Sequence, residues 1–283
     1  MPGVFCILLV FPSLVLSITL GTITDRPSKY YLKYRILADY IQRKLAEAGI
    51  KEKVGVRFAR DVDQMIALVA QGKVDVIVDS VYPTLKVCEA TGCEPFLIRW
   101  KNGVRTYRSV IFVRKDSQVR SVRDLLGSKI AFDSPYSTSG YLIPKALLEK
   151  RGINLIRLES LNQKVLENSV GYIFAGEEEN VVAWVFFGRV EAGATSDIKL
   201  KSVSGGRDLF RVILVSHEIP RHIVSFSASL DGRLRDLLVD ILTSMDEDPE
   251  GLGVLTAFDG TTRFERLDQK DVSIITSIRN LIR

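Results

Sequence analysis

Apolar residues along this chain fall into two alternating patterns, short unbroken runs and longer stretches in which they recur at helical spacing. The first pattern marks buried strands and the second amphipathic helices. Residues 18–24 read as a strand, followed by a helix near 29–48 with Tyr34, Leu37, Ile41 and Leu45 on one face and Gly49 as its stop. Residues 54–58 form a second strand. Asp61 and Gln64 have the spacing of a capping box for a helix ending at Gly72. A buried strand at 74–78 follows, and Pro83 is expected to begin the next helix. Residues 104–114 make an extended segment too long for a simple strand–helix unit. Ser121 and Asp124 repeat the capping spacing before a short helix and a strand at 129–132. Leu142, Ile143, Ala146 and Leu147 then line a helix running to about Arg151, with Gly152 as its stop. Val181, Val182, Trp184 and Val185 mark a helix near 178–187 that ends at Gly188, and a strand follows at 190–194. A second long extended segment at 209–215 precedes Pro220, and helices near 231–245 and 270–281 close the chain.

Alternating helices and strands imply an α/β fold with largely parallel sheets. Two long extended segments bracketing an internal α/β unit suggest two lobes joined by two crossover strands. The expected first lobe contains 18–108 and 217–283, and the second contains 109–216. A cleft between such lobes is a common place for a small ligand, and paired crossovers make a natural hinge.

The chemistry concentrates between the strand at 129–132 and the helix after it, where Ser134, Ser137, Thr138, Ser139 and Gly140 crowd one turn. A helix start leaves backbone N–H groups unpaired and partly positive, which suits an anion. The plainer reading is a Ser or Thr cap, but a cap needs one hydroxyl and this turn offers three in a row. Pro144 falls in the first helical turn, where its missing N–H has no partner to lose. Asp79, Ser80 and Tyr82 follow the strand at 74–78, at the strand end where α/β sheets place ligands; equally, they simply lead into the next helix. Glu177 to Glu179 are first-turn acids that favour a helix dipole, and one of them is a candidate acceptor for a protonated oxyanion. His217 and His222 are the only histidines, and no nucleophile–base pair accompanies them. The hydroxyls therefore read as hydrogen-bond donors, not as nucleophiles, and no enzymatic activity is expected.

Composition narrows the choice further. With 283 residues, 46% hydrophobic and 26% charged, the chain is an ordinary globular one. Its net charge of +5 favours anionic partners, but no basic run with interleaved aromatics points to nucleic acid. Residues 1–17 are almost wholly apolar and uncharged; they read as an export signal, with a buried first strand as the alternative. No other stretch approaches the roughly 20 apolar residues of a membrane span. Cys6 falls in that segment, while Cys88 and Cys93 form either a local disulfide across Gly92 or two free buried thiols. No His/Cys cluster has metal-ligand spacing, and no cofactor motif is present.

Taken together, the segment Ser137-Thr-Ser-Gly-Tyr-Leu-Ile-Pro144, the upstream Val110-Ile-Phe-Val-Arg-Lys-Asp-Ser117 and Leu125-Leu-Gly127, Gly72-Lys-Val-Asp75, and Gly188-Arg-Val-Glu-Ala-Gly-Ala194 form a recognisable set. The chain from about residue 18 onward resembles the phosphate/phosphite/phosphonate substrate-binding proteins of ABC transporters. That resemblance implies a two-lobed type II periplasmic-binding-protein fold with an inter-lobe cleft. It implies a non-catalytic monomer, periplasmic or extracellular, that delivers a small anionic ligand to a transporter permease. A ligand sensor built on the same fold is the alternative. The resemblance places Ser137, Thr138 and Ser139 on the phosphonate oxygens and adds Tyr107, which precedes Arg108-Ser-Val110. Two positions depart from the family. Glu177 stands where a His is common, and Pro220 is followed by Arg221 and His222 where aminophosphonate binders carry an acid. Cations there repel an ammonium group, so the expected ligand is a phosphorus oxyanion without an amine.

Overall fold

The computed structural model describes residues 17–203 and 205–282, with the backbone alone at residue 207. The expected export segment 1–17 and Cys6 thus lie outside the described residues, apart from Ser17, which opens the first strand. In chain order the strands are β1 Ser17–Ile23, β2 Lys53–Ala59, β3 Val76–Asp79, β4 Glu94–Lys101, β5 Thr106–Arg114, β6 Lys129–Phe132, β7 Leu155–Arg157, β8 Val170–Phe174, β9 Ala192–Ser196, β10 Phe210–Pro220, β11 His222–Phe226 and β12 Thr261–Arg266. The helices are α1 Pro27–Glu47, α2 Val62–Ala70, α3 Val81–Thr91, α4 Ile143–Glu149, α5 Glu178–Phe186, α6 Asp197–Ser202, α7 Gly206–Leu209, α8 Gly232–Thr243, α9 Pro249–Ala257 and α10 Gln269–Ile282.

The strands assemble into two sheets, ordered β12-β4-β11-β3-β1-β2 and β10-β5-β9-β6-β8-β7. The first takes strands from both ends of the chain, and the second from its middle. β1 runs parallel to both β2 and β3, and β6 runs parallel to both β8 and β9. β5 and β10 pair antiparallel from Arg114↔Phe210 to Thr106↔Pro220, with bulges between Val212 and Leu214 and between Val215 and Glu218. These two long strands carry the chain across between the sheets and back.

Each sheet is buried by helices whose apolar face the periodicity identifies. α1 buries Tyr34, Leu37, Ala38, Tyr40, Ile41 and Leu45, and Gly49 reverses the chain at φ +84°, a conformation that only glycine adopts without cost. The second sheet is covered by two apolar clusters, one around Phe132, Leu148 and Val170 and one around Phe112, Val181 and Val185. A further cluster straddles the crossover strands, joining Val81, Leu85, Tyr107, Ile143, Ile219 and Ile278. It seats α10 behind the hinge.

Several expectations shift. α3 begins at Val81, because Ser80 is the extended cap residue and Pro83 sits inside the first turn. The strands expected at 74–78 and 190–194 begin two residues later, at Val76–Asp79 and Ala192–Ser196. Asp61 does cap α2, accepting from Gln64 N at 2.8 Å, while the Gln64 side chain reaches back to Arg60 N at 2.8 Å, one residue beyond the standard box. Ser121 and Asp124 complete their capping box. Cys88 and Cys93 are joined in a disulfide, which selects between the two readings left open. The sequence pattern predicts none of β4, β7, β8, β11, β12, α6, α7 and α9.

Candidate functional site

The hydroxyl turn departs from a plain helix start. Residues Thr138–Leu142 wind as a π-turn before α4 begins at Ile143, and such widened turns recur at functional sites. Ser137 is the cap: its Oγ accepts from Gly140 N at 3.0 Å. The capping reading therefore accounts for Ser137 and leaves Thr138 and Ser139 to be explained. Both are almost fully buried, at 2% and 5% exposure. Thr138 Oγ1 accepts from Tyr82 N at 2.9 Å, a bond from α3 of one lobe to the turn of the other. Ser109 Oγ donates to the Ser139 carbonyl at 2.6 Å and fixes the turn on β5. Gly140 has no room for a Cβ, which would lie 2.6 Å from Asp133 Cβ and 2.9 Å from Ser137 Oγ.

The turn faces a cavity of about 510 Å³ between the lobes. From the second sheet it is lined by Asp133, Ser137, Thr138, Ser139, Glu178 and Ser196. From the first sheet and the crossovers come Arg60, Asp79, Ser80, Tyr107, Arg221 and His222. Tyr107, near the start of β5, lies opposite Ile219 of β10. Its phenol hydrogen-bonds with the hydroxyls of Ser139 and Thr138, and burial pushes its pKa up to about 12, so it stays a neutral donor. The Arg221 guanidinium stacks 5.6 Å from the Tyr107 ring. Its Nε is buried without a hydrogen bond, and it pairs with no carboxylate among the described residues. His222 Nδ1 is likewise buried and unpartnered. Burial, then the charges of Arg99, Lys101 and Arg221, hold the imidazole well below its ordinary pKa, leaving it uncharged at neutral pH.

Two acids face this collection of donors. Burial and the neighbouring Glu178 push Asp133 up to about 7, partly offset by its hydrogen bond with Ser137. Glu178 accepts from Thr195 Oγ1 at 2.9 Å and Ser196 Oγ at 3.3 Å. Asp79 also reaches the cavity, but its oxygens are engaged within lobe one. They accept from Thr22 Oγ1 at 2.8 Å, Ile23 N at 2.8 Å and Ser80 N at 2.7 Å, tying the ends of β1 and β3 together. Burial raises its pKa.

Of the residues singled out from sequence, the structure gathers Ser137, Thr138, Ser139, Tyr107, Asp79, Ser80, Arg221 and His222 around one cavity. Tyr82 and Glu177 are not among its lining residues. Tyr82 contributes its backbone N–H to Thr138, and the Glu177 carboxylate turns outward to pair with Arg26 across the cleft. Its neighbour Glu178 takes the inward place. Glu178 is the member of the Glu177–Glu179 set that lines the cavity. The sequence reading does not single out Asp133, Arg60 and Ser196. All three sit at or just past the carboxyl ends of strands, in β6, β2 and β9, so the rule applied to Asp79 reaches them. Among the described residues, no His, Cys, Asp and Glu are grouped to hold a metal, and no helix is long and apolar enough to cross a membrane.

The model of the ABC transporter, phosphonate, periplasmic substrate-binding protein family matches residues 21–272. XAC2383 from Xanthomonas citri, solved bound to chloride ion, is 26% identical and superposes with a TM-score of 0.88, over 94% of this chain and 97% of that one. The same protein bound to ATP gives a TM-score of 0.86 at 26% identity, over 94% and 96%. PhnD1 from Prochlorococcus marinus in complex with methylphosphonate, at 16% identity, shares the fold with a TM-score of 0.68 over 94% and 98%. The architecture is the two-lobed type II periplasmic-binding fold.

Proposed function

Since the chain belongs to the ABC-transporter phosphonate periplasmic substrate-binding protein family, we propose that it captures a small phosphorus oxyanion in its cleft and presents it to a transporter permease. The observation that carries this reading is the convergence of the Thr138 and Ser139 hydroxyls, the Tyr107 phenol and the unpaired Arg221 guanidinium on one cavity. Hydroxyl donors and a guanidinium suit a tetrahedral oxyanion, because charge-assisted hydrogen bonds are the strong ones. Lobe one spans 18–108 and 217–283, lobe two spans 109–216, and closure over the ligand gives the permease a distinct shape to recognise. The protein acts outside the cytoplasm as a monomer without turnover, and the disulfide suits an oxidising compartment.

A thermal-shift panel of phosphate, phosphite, methylphosphonate, aminoethylphosphonate, ATP and sulfate tests the reading, because a ligand that prefers the folded state raises stability. ATP is included because the Xanthomonas citri relative was solved with it. At least one phosphorus oxyanion should stabilise the protein, and aminoethylphosphonate should trail methylphosphonate, since Arg221 repels an ammonium. Sulfate alone binding, or silence across the panel, sinks the proposal. Aminoethylphosphonate binding more tightly than methylphosphonate sinks the ligand preference alone.

A further inference from the structure

The cleft is larger than a small oxyanion needs. Two contacts already span it, the Arg26–Glu177 ion pair and the Tyr82–Thr138 hydrogen bond, yet about 510 Å³ stays open. A water molecule takes roughly 30 Å³ in the liquid, so a five-atom oxyanion fills a minor part of that space. Pockets of roughly 300–1,000 Å³ hold organic ligands of considerable size.

The remaining space has a chemical direction. Behind the main cavity lies a smaller chamber of about 90 Å³ that shares Ile23, Thr24, Tyr30, Asp79, Lys101 and His222 with it. Its inner wall carries Arg99, 3% exposed, held by Thr261 Oγ1 at 2.7 Å and the Phe258 carbonyl at 3.0 Å. Two acids also line it, but both are engaged. Asp259 is shared by Lys33, Lys101 and Arg99, three cations on one carboxylate. Asp79 is taken up by its three donors. The chamber is thus lined by Arg99 and Lys101, by two carboxylates that already have their partners, and by His222, whose Nδ1 is unpartnered. A buried polar atom without a partner costs free energy that a ligand atom recovers.

We propose that this lobe-one chamber is a second anion subsite, so that the ligand is a phosphorus oxyanion carrying a second acidic group on a short organic arm. This rests on the oxyanion reading above: the phosphorus group sits at Thr138, Ser139 and Tyr107, and the second acid reaches Lys101 and His222. The two spaces share six lining residues and so adjoin each other, which keeps the arm short.

The test is a calorimetric comparison of 3-phosphonopropionate with 3-methylbutylphosphonate, whose branched end has the shape of a carboxylate without its charge. In the wild-type protein the carboxylate-bearing compound should bind at least about tenfold more tightly, the equivalent of one hydrogen bond to a charged group. Lys101→Met should bring the ratio of the two dissociation constants close to one. Arg99 is left untouched because it also anchors Thr261 and Phe258. Equal wild-type affinities, with both compounds lost on Ser137/Thr138/Ser139→Ala, overturn the subsite and leave the oxyanion reading standing. A preference that survives Lys101→Met also overturns the subsite. Failure of both compounds and of methylphosphonate to bind overturns both.

Discussion

Replacing Asp133 by Asn probes the electrostatics of the turn without touching a proposed donor. Burial and the adjacent Glu178 hold the Asp133 pKa at about 7 in the folded protein, against about 3.9 in an unfolded chain. Between those values the folded state binds more protons than the unfolded state. The carboxylate therefore subtracts stability progressively as pH rises from about 4 to 7, and the cost is flat above that. The gap between the two values corresponds to a ceiling of about 4 kcal/mol at pH 8 and about 1.5 kcal/mol at pH 5. Asn keeps the size and the acceptor oxygen that meets Ser137, but carries no charge. The stability advantage of Asp133→Asn over wild type should therefore grow by about 2–3 kcal/mol between pH 5 and pH 8. Urea unfolding of ligand-free protein across that range measures it directly. An advantage that stays constant with pH, or shrinks toward pH 8, refutes the account of Asp133 as a buried, acid-flanked carboxyl.

Other outcomes follow from named contacts. Ser137/Thr138/Ser139→Ala should abolish oxyanion binding while costing about 2–5 kcal/mol of folding stability, the loss of the Ser137 cap plus that of the Thr138 acceptor for Tyr82 N, read by calorimetry and by urea titration. Tyr107→Phe keeps the ring under Arg221 and removes one hydroxyl, so affinity should fall by about 1.5–3 kcal/mol; an unchanged dissociation constant would show that Tyr107 only packs the hinge. Arg26→Gln removes the ion pair to Glu177, in which both side chains are close to half exposed. Such pairs are worth about 0–1 kcal/mol, so ligand release should accelerate less than about sixfold, and the difference should fade in high salt. Stopped-flow release at low and high ionic strength checks this. Reducing Cys88–Cys93 opens a loop with a sequence separation of 5, which predicts a loss of about 2 kcal/mol and no change in ligand affinity; altered affinity would tie the disulfide to the far end of α3.

The periodic helices and the carboxyl-end loops were the legible part of this molecule. α1 shows why: Tyr34, Leu37, Ile41 and Leu45 are all buried where the spacing puts them. The hydroxyl turn was legible because three adjacent hydroxyls exceed what a cap uses. β12 was not, since its sequence Thr261–Arg266 buries only Thr261 and Phe264 and exposes Thr262 and Arg263 between them. β11 was hidden for a different reason. Its strand is made by pairing Ile223 with Asp79 and with Ile98, partners more than a hundred residues away that no local pattern reveals. The same distance kept Lys101 and Arg99 off the candidate residues. Glu177 and Glu178 mark the limit of reading by residue type. Glu177 is the extended cap of α5 and Glu178 opens its first turn, and only the backbone there decides which one faces the cavity and which meets Arg26.

Thr138 links capture to closure more directly than the outer ion pair does. Its hydroxyl accepts from Tyr82 N in the opposite lobe and lines the cavity on its other side. A hydroxyl that accepts one hydrogen bond still has its own proton to donate. The acceptor role therefore requires the lobes to be together, and the donor role is met by the Tyr107 phenol or by an acceptor in the cleft. An anion that takes the proton polarises the oxygen and strengthens the bond from Tyr82, as hydrogen bonds in a chain do. Ligand and closure then favour each other through one side chain, and a ligand shifts the lobes only by its differential affinity for the closed form. The Tyr82–Thr138 bond is therefore the contact between α3 and the turn Thr138–Leu142 through which a ligand in the cleft can favour closure.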